Sequence, residues 1–251
     1  MSDRFRELSE TVLRQHGWLS RQASLLADEV LHRGAPRRLD AGSTVFRPDD
    51  PPDGIYGIVD GLVATTAMPA GLQPAIVFHA GAGTWLGVLP FFGAGRRVAV
   101  RALVETVLFH LPLAAMEAMV RRDPHLSRAF GEIAAEHVSI CLQVIEDLLQ
   151  PDTARRVAAT LLRATRDGEV RIPLTQLDLA TMANASRRQV NTILQGFAAR
   201  GWIAQGYGSV TVLDAAGLRR SLDAKVPPNG SGIGGRAIDG VPYSPPPSVL
   251  T

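Results

Sequence analysis

Within residues 172–203, IPLTQLDLATMANASRRQVNTILQGFAARGWI, the chain carries two closely spaced helix-start signals. Thr175 is followed three residues on by Asp178, and Ser186 by Gln189. This is capping-box spacing: the hydroxyl accepts from a free helical N–H while the longer side chain reaches back to the cap. Leu177, Leu179, Ala180 and Met182 give the first helix a short apolar face. Val190, Ile193, Leu194 and Phe197 give the second a stripe at helical spacing. Between them stands Asn184, which tolerates the left-handed backbone of a sharp turn better than most residues, and Gly201 ends the second helix. Two capped helices joined by a tight turn make a helix-turn-helix. Trp202–Ala204 and Val210–Leu213, separated by Gln205-Gly206-Tyr207-Gly208, predict a hairpin beside it, the wing of a winged helix.

The residues at the start of the second helix are Arg187, Arg188, Gln189, Asn191 and Thr192. In a helix-turn-helix this end enters the major groove, where Arg presents a fork to guanine and Gln or Asn pairs with adenine. With the caps Thr175 and Ser186 they form the candidate DNA-contacting set. A helical hairpin with a merely solvated polar face leaves this gathering of base-compatible side chains unexplained. Charge is distributed to suit. Residues 1–150 hold 14 basic and 17 acidic side chains, whereas residues 151–225 hold 11 and 6. The positive potential therefore belongs to the C-terminal third, the footprint of a nucleic-acid binder, although an ordinary solvated surface also carries such an excess.

Upstream the pattern differs. Over residues 38–112, short β-rich runs (Thr44–Phe46, Ile55–Val59, Leu62–Thr66, Ala75–His79, Val98–Ala102, Thr106–Leu111) alternate with Gly, Pro and Asp clusters. Such spacing predicts an antiparallel jelly-roll or barrel, with Asp60-Gly61 as a hairpin turn. Before it, residues 19–33 read as one short helix stopped by Gly34. After it, Leu126, Phe130, Ile133, Val138, Cys141, Ile145 and Leu148 recur at near-helical intervals, predicting a helix of roughly 25 residues, about 38 Å long. So long a helix is expected to pair with its copy in a second subunit; the alternative is packing across its own barrel. Pro151-Asp152 breaks it and opens the next helix, Thr153–Ala164. The expected divisions are 1–122 (effector-type barrel with flanking helices), 123–150 (dimerisation helix), 151–225 (winged helix) and 226–251, a Pro/Gly-rich tail expected to be disordered.

The order of barrel, long helix and winged helix resembles the CRP/FNR family of bacterial cyclic-AMP-receptor-like regulators. AGSTVFRPDDPPDGIYGIVDGLV is similar to the family's barrel pattern, and LTQLDLATMANASRRQV to its Leu-Thr…Asp-Leu-Ala…Ser-Arg signature. The resemblance spans roughly residues 20–222 and implies an α+β fold: a cyclic-nucleotide-binding-like jelly-roll, a dimerisation helix and a C-terminal winged helix-turn-helix. It implies a cytoplasmic homodimeric transcription regulator that binds a pseudo-palindromic DNA site, with RNA polymerase as a further partner and a small-molecule effector in the barrel. Family members that bind cyclic AMP present Gly-Glu to the ribose and Arg-Ser or Arg-Thr to the phosphate. The matching positions here are Gly87-Val88 and Arg96-Arg97, and Cys141-Leu142 replaces a Thr-Ser pair on the long helix. Weak or absent cyclic-AMP binding is the expectation. Arg96 and Arg97 either grip another anion or are solvated loop charges.

Other chemistries find less support. One cysteine, Cys141, makes no disulfide within the chain and no cysteine-ligated cluster, and reads as a core residue on the helix seam, with a redox role as the alternative. His79 and His110 lack neighbours at metal spacing, so no metal, cofactor or catalytic residue is expected. Gly81-x-Gly83 before Gly87 reads as a turn between strands, not a dinucleotide fingerprint. The remaining alternatives are a ligand- or partner-binding module that no longer contacts DNA, and a cupin-like metal enzyme. No apolar run is long enough to span a membrane, and the N-terminus lacks a secretory signal.

Overall fold

The computed structural model describes residues 3–68, 73–164 and 170–223. Its first half is built on β1 (Ala35–Leu39), β2 (Thr44–Phe46), β3 (Gly54–Asp60), β4 (Leu62–Ala67), β5 (Ala75–Gly81), β6 (Trp85–Leu86), β7 (Ala99–Ala102) and β8 (Thr106–Pro112). They form two antiparallel sheets of order β1-β8-β3-β6 and β2-β7-β4-β5. The expected jelly-roll is therefore present, with one correction. Asp60-Gly61 is not a hairpin turn. β3 pairs with β8 on one edge and β6 on the other, so no edge remains for β4, and the chain crosses to the opposite sheet. Gly61 is still required at φ +92, because a Cβ there would meet the Glu105 carbonyl at 2.6 Å. Between the sheets lie Phe46, Ile58, Val63, Val100 and Leu108.

Helices cover one end of this barrel. α1 (Asp3–Gln15) precedes a single 3-10 turn over Leu19–Arg21, and α2 (Ser24–Arg33) follows. The helix expected over 19–33 is thus interrupted: Gln22 and Ala23 are extended, at ψ 155 and 144. After β8 come α3 (Leu113–Arg122) and α4 (Leu126–Leu149). Trp18 locks the arrangement. It is fully buried, its indole N–H donates to the Ala129 carbonyl at 2.8 Å, and its ring lies edge-on to Trp85 at 5.2 Å. Phe130 and Ile133 on α4 complete the cluster.

α4 changes duty halfway. Its first turns are buried against the barrel, but Val138, Leu142, Ile145 and Leu149 are exposed. Their spacing of four, three and four is that of a coiled-coil seam.

The second half consists of α5 (Thr153–Ala164), β9 (Val170–Ile172), α6 (Gln176–Met182), α7 (Arg187–Ala199), β10 (Ile203–Gly206), β11 (Ser209–Val212) and α8 (Ala215–Asp223). Asp152 caps α5, accepting from the Ala154 N–H at 2.7 Å. The expected wing is the β10–β11 hairpin, and β9 adds a third strand. Val157, Leu161, Leu179, Val190, Leu194, Phe197 and Leu218 make the core. Leu62 and Ile76 of the barrel pack against that core, so the two halves touch through β4 and β5. The tail expected over 226–251 lies outside the described residues.

Candidate nucleic-acid interface and barrel cavity

Both capping boxes are formed. The Thr175 hydroxyl oxygen accepts from the Asp178 N–H at 3.1 Å, and Asp178 accepts from the Thr175 N–H at 3.1 Å. At α7, Ser186 Oγ accepts from the Gln189 N–H at 3.2 Å while Gln189 Oε1 accepts from the Ser186 N–H at 2.9 Å. Asn184 adopts φ +46 in the intervening turn, and Gly201 adopts φ +72 beyond α7. Burial of Val190, Leu194 and Phe197 turns the opposite face of α7, starting with Arg187, Arg188 and Gln189, to solvent.

The seven candidate contact residues are not equivalent. Among the described residues, the Arg187 and Arg188 guanidinium groups find no partner on their own chain. Gln189 already spends its carbonyl oxygen on the cap. Asn191 Oδ1 accepts from Gln176 Nε2 at 3.1 Å, a bond that ties α7 to α6. The Thr192 hydroxyl donates to the Arg188 carbonyl at 3.2 Å. Thr175 and Ser186 are exposed and serve first as caps. Capping-box spacing announces the bond of Gln189, but not that of Asn191, whose partner Gln176 lies on another helix.

One positioning residue carries no sequence signal. Arg156 of α5 donates to the Gln150 carbonyl at 2.7 Å and to the Ala183 and Asn184 carbonyls at 2.8 and 3.3 Å. Its guanidinium thereby staples the turn of the helix-turn-helix to the end of α4.

The barrel holds a cavity of about 410 Å³ between the β2-β7-β4-β5 sheet and α4. Gly87, Val88, Arg96, Arg97 and Cys141 all line it; Leu142 does not. One expectation needs correction. Arg96 is not a solvated loop charge: its side chain is 3% exposed, it donates to Asp53 at 2.5 Å, and its guanidinium carbon lies 4.3 Å from the Phe46 ring centre. Cys141, expected on the helix seam, is exposed in the single chain and lines the cavity. Arg97 is exposed, as a loop charge should be.

Arg96 belongs to a polar group at the barrel end. The Tyr56 hydroxyl also donates to Asp53, His110 stacks on Tyr56 at 4.7 Å, and His110 Nε2 lies 3.1 Å from the Asp53 carbonyl. Burial works to raise the Asp53 carboxyl, but Tyr56 and Arg96 outweigh it and hold Asp53 below the usual carboxylate range. Burial, with the Asp53 bond, pushes the Tyr56 phenol well above its ordinary value. A cyclic nucleotide fits these residues poorly. Val88 is fully buried and offers no acceptor where a ribose-binding carboxylate is wanted, and the Arg96 charge is already paired.

His79 and His110 do not assemble a metal centre; among the described residues no three His, Cys, Asp or Glu side chains cluster to hold an ion. His79 is instead buried where β5 meets α5 and α6, and burial lowers its pKa to about 4. Among the described residues, no helix is long and apolar enough to cross a membrane.

Sequence comparison agrees with this layout. The profile of the cyclic nucleotide-binding domain matches residues 36–123, and that of the Crp-like helix-turn-helix domain matches residues 155–221. The CRP-like cAMP-activated global transcriptional regulator of Mycobacterium tuberculosis is 28% identical over 188 residues, covering 71% of this chain and 84% of that one. The HTH-type transcriptional regulator Cmr of the same species is 28% identical over 221 residues, covering 84% and 89%. Among solved structures, a CRP/FNR-family transcriptional regulator of Thermus thermophilus shares the fold at TM-score 0.60 and 24% identity, over 76% of this chain and 99% of that one. FixK2 of Bradyrhizobium japonicum does so at TM-score 0.64 and 18% identity, over 77% and 99%.

Proposed function

Since the chain belongs to the CRP/FNR family of transcription regulators, we propose that it works as a cytoplasmic homodimer reading a pseudo-palindromic DNA site. The observation that carries this reading is the start of α7, where Arg187 and Arg188 stand exposed on a doubly capped scaffold. In the dimer, α4 pairs along Val138, Leu142, Ile145 and Leu149, and two copies of α7 are presented about one DNA turn, ~34 Å, apart. Arg187 and Arg188 contact guanine edges or phosphates. Ser186 and Thr175 hold the backbone against phosphates, while Asn191 and Thr192 set the seating of α7. Gln189 reads bases only by giving up its cap bond. RNA polymerase is the downstream partner, and the barrel cavity is the effector site, with a ligand other than cyclic AMP. The barrel does no catalysis in this reading.

Selection of bound fragments from random-sequence DNA, followed by titration at several salt concentrations, tests the proposal. The expected result is a two-fold symmetric site and an affinity that falls steeply with salt. Arg188→Ala should relax the preference at one base position per half-site, by about 1–3 kcal/mol. A symmetric consensus unchanged by Arg188→Ala removes that residue from the readout, and retention of no sequence at low salt refutes DNA binding.

A further inference from the structure

Arg156 is half-buried on α5, and each N–H of its guanidinium has an acceptor. Nε donates to the Ala183 carbonyl at 2.8 Å, and Nη1 to the Gln150 and Pro151 carbonyls at 2.7 and 3.2 Å. Nη2 donates to the Thr153 hydroxyl at 3.0 Å and to the Asn184 carbonyl at 3.3 Å. These are all the donors of an arginine fork, and none of the acceptors is a carboxylate. Gln150 and Pro151 close α4, and Ala183 and Asn184 close α6. Carbonyls at a helix C-terminus lack partners within the helix and carry the negative end of its dipole. One cation therefore holds two helix ends together.

A second anchor lies on the same helix. Arg163, about two turns along α5, pairs with Asp147 in the last turn of α4. The chain between α4 and α5 is Gln150, Pro151 and Asp152, none of them helical. Leu62 and Ile76 tie the winged helix to its own barrel. Arg156 and Arg163 tie it to α4, which carries the seam, and Arg156 also reaches the turn that seats α7.

On a duplex, one added base pair moves the second half-site by ~3.4 Å and turns it by roughly 35° about the axis. Two recognition helices held at a fixed angle to the seam therefore suit one separation, whereas two that swing suit several. Lysine cannot replace the tether: it keeps the charge but gathers its donors at one point, without the planar fork that serves carbonyls on two helices.

We propose that Arg156, with the Arg163–Asp147 pair as its second anchor, is a positioning residue that fixes the direction of α7 relative to the α4 seam. It thereby sets the separation of half-sites that the dimer accepts. This rests on the dimeric, DNA-binding reading above and assigns operator geometry, as distinct from operator sequence, to residues that touch no base.

Double electron–electron resonance on the DNA-free chain reads that direction. With Cys141→Ala and a spin label attached at Gln195→Cys, an exposed position of α7, the parent should give one narrow inter-copy distance. Adding Arg156→Lys should broaden the distribution about twofold, with helix content and melting curve unchanged. Should that variant melt early, Asp147→Asn breaks the second anchor outside the winged-helix core and decides by the same broadening. In a second arm, unlabelled chains bind the consensus recovered by the selection above, with its half-sites moved by one and by two base pairs. The parent should lose affinity about tenfold per base pair and Arg156→Lys about threefold or less, with base preference inside each half-site unchanged. A distribution as narrow as the parent's, a spacing preference as sharp, or an altered base preference overturns the proposal. A parent that binds no DNA refutes the reading of α7 and leaves the resonance arm to decide. A parent with no inter-copy distance refutes the dimer, and the proposal with it.

Discussion

Replacing Leu142 with Glu tests the dimer through its seam. Leu142 and Ile145 are 54% and 52% exposed in the single chain, with Val138 and Leu149 more so. Burying a whole aliphatic side chain is worth about 1.5–3 kcal/mol, so half of that, roughly 1 kcal/mol, is available at each position. Four positions counted on both helices give about 8–10 kcal/mol. That is comparable with the ~4–15 kcal/mol lost in associating two bodies, so the seam carries a dimer without much surplus. Leu142→Glu removes roughly 2 kcal/mol of this across the pair. It also sets two carboxylates face to face, which at 4 Å and an effective dielectric of 20 repel by about 4 kcal/mol. The sum, about 6 kcal/mol, is some four decades in the dimer dissociation constant. Sedimentation equilibrium should show the variant monomeric at every concentration at which the unaltered chain is dimeric. Gln143→Glu adds the same charge one residue along, off the seam, and should leave the dimer intact. Leu142 belongs to none of the buried clusters of its own chain, so the variant should fold normally. A Leu142→Glu chain that remains as tightly dimeric as its parent refutes the α4 seam.

Ser186→Ala removes the oxygen that accepts from the Gln189 N–H, which should cost about 1 kcal/mol in urea unfolding and weaken DNA binding through fraying of the first turn of α7. Asp53→Asn leaves the buried Arg96 charge without its counterion; the half-exposed site moderates the loss to about 2 kcal/mol, read as a lower urea midpoint. His79 binds protons more weakly folded, with a pKa of about 4, than unfolded, near 6.5. Its stabilising contribution is therefore full above pH 6.5 and lost as pH falls toward 4, by about 2 kcal/mol between pH 7 and 5. His79→Leu should flatten that part of the acid limb, and identical pH dependence in both chains would contradict the burial argument.

Local signals in this chain proved readable where a cap and its partner, or a turn residue and the helix end it serves, fall within a few positions of each other. Ser186 with Gln189, Thr175 with Asp178, Asn184 at positive φ and Gly201 past a helix end are decided within four residues, and the structure places each as its chemistry requires. What escapes such reading depends on partners far along the chain. Asp60-Gly61 carries the local signature of a hairpin, yet β8 and β6 occupy both edges of β3. Arg96 sits in a polar loop sequence, but Asp53, 43 residues away, draws it into the barrel. The apolar residues of 19–33 suit one helix, and only the burial of Trp18 and Leu19 against the barrel explains why the chain turns at Gln22–Ala23. α1 is a stripe left unread: Phe5, Val12 and Leu13 stand on one face at helical spacing, with Ser9 between them, and pack on the barrel core amid a run of charged and polar residues.

The cavity and the DNA-binding half meet on one strand, and an irregularity in that strand makes the connection. Between β4 and β5 the register slips: Thr65 opposes Phe78 and Thr66 opposes Ile76, leaving Val77 as an extra residue on β5. In a regular strand Val77 and Phe78 would point to opposite faces; a bulge brings neighbouring side chains to the same side. Val77 and Phe78 both line the cavity. The residues flanking them meet the other half: Ile76 packs on the core of the winged helix, and His79 feels the charges of Asp178 on α6 and Arg163 on α5. Arg163 in turn pairs with Asp147 near the end of α4. In the proposed regulator, a molecule that displaced Val77 or Phe78 would strain the next peptide along, which packs toward α6. Close-packed interiors do not absorb such a shift locally. Two side chains thus separate the barrel cavity from the helix that seats α7.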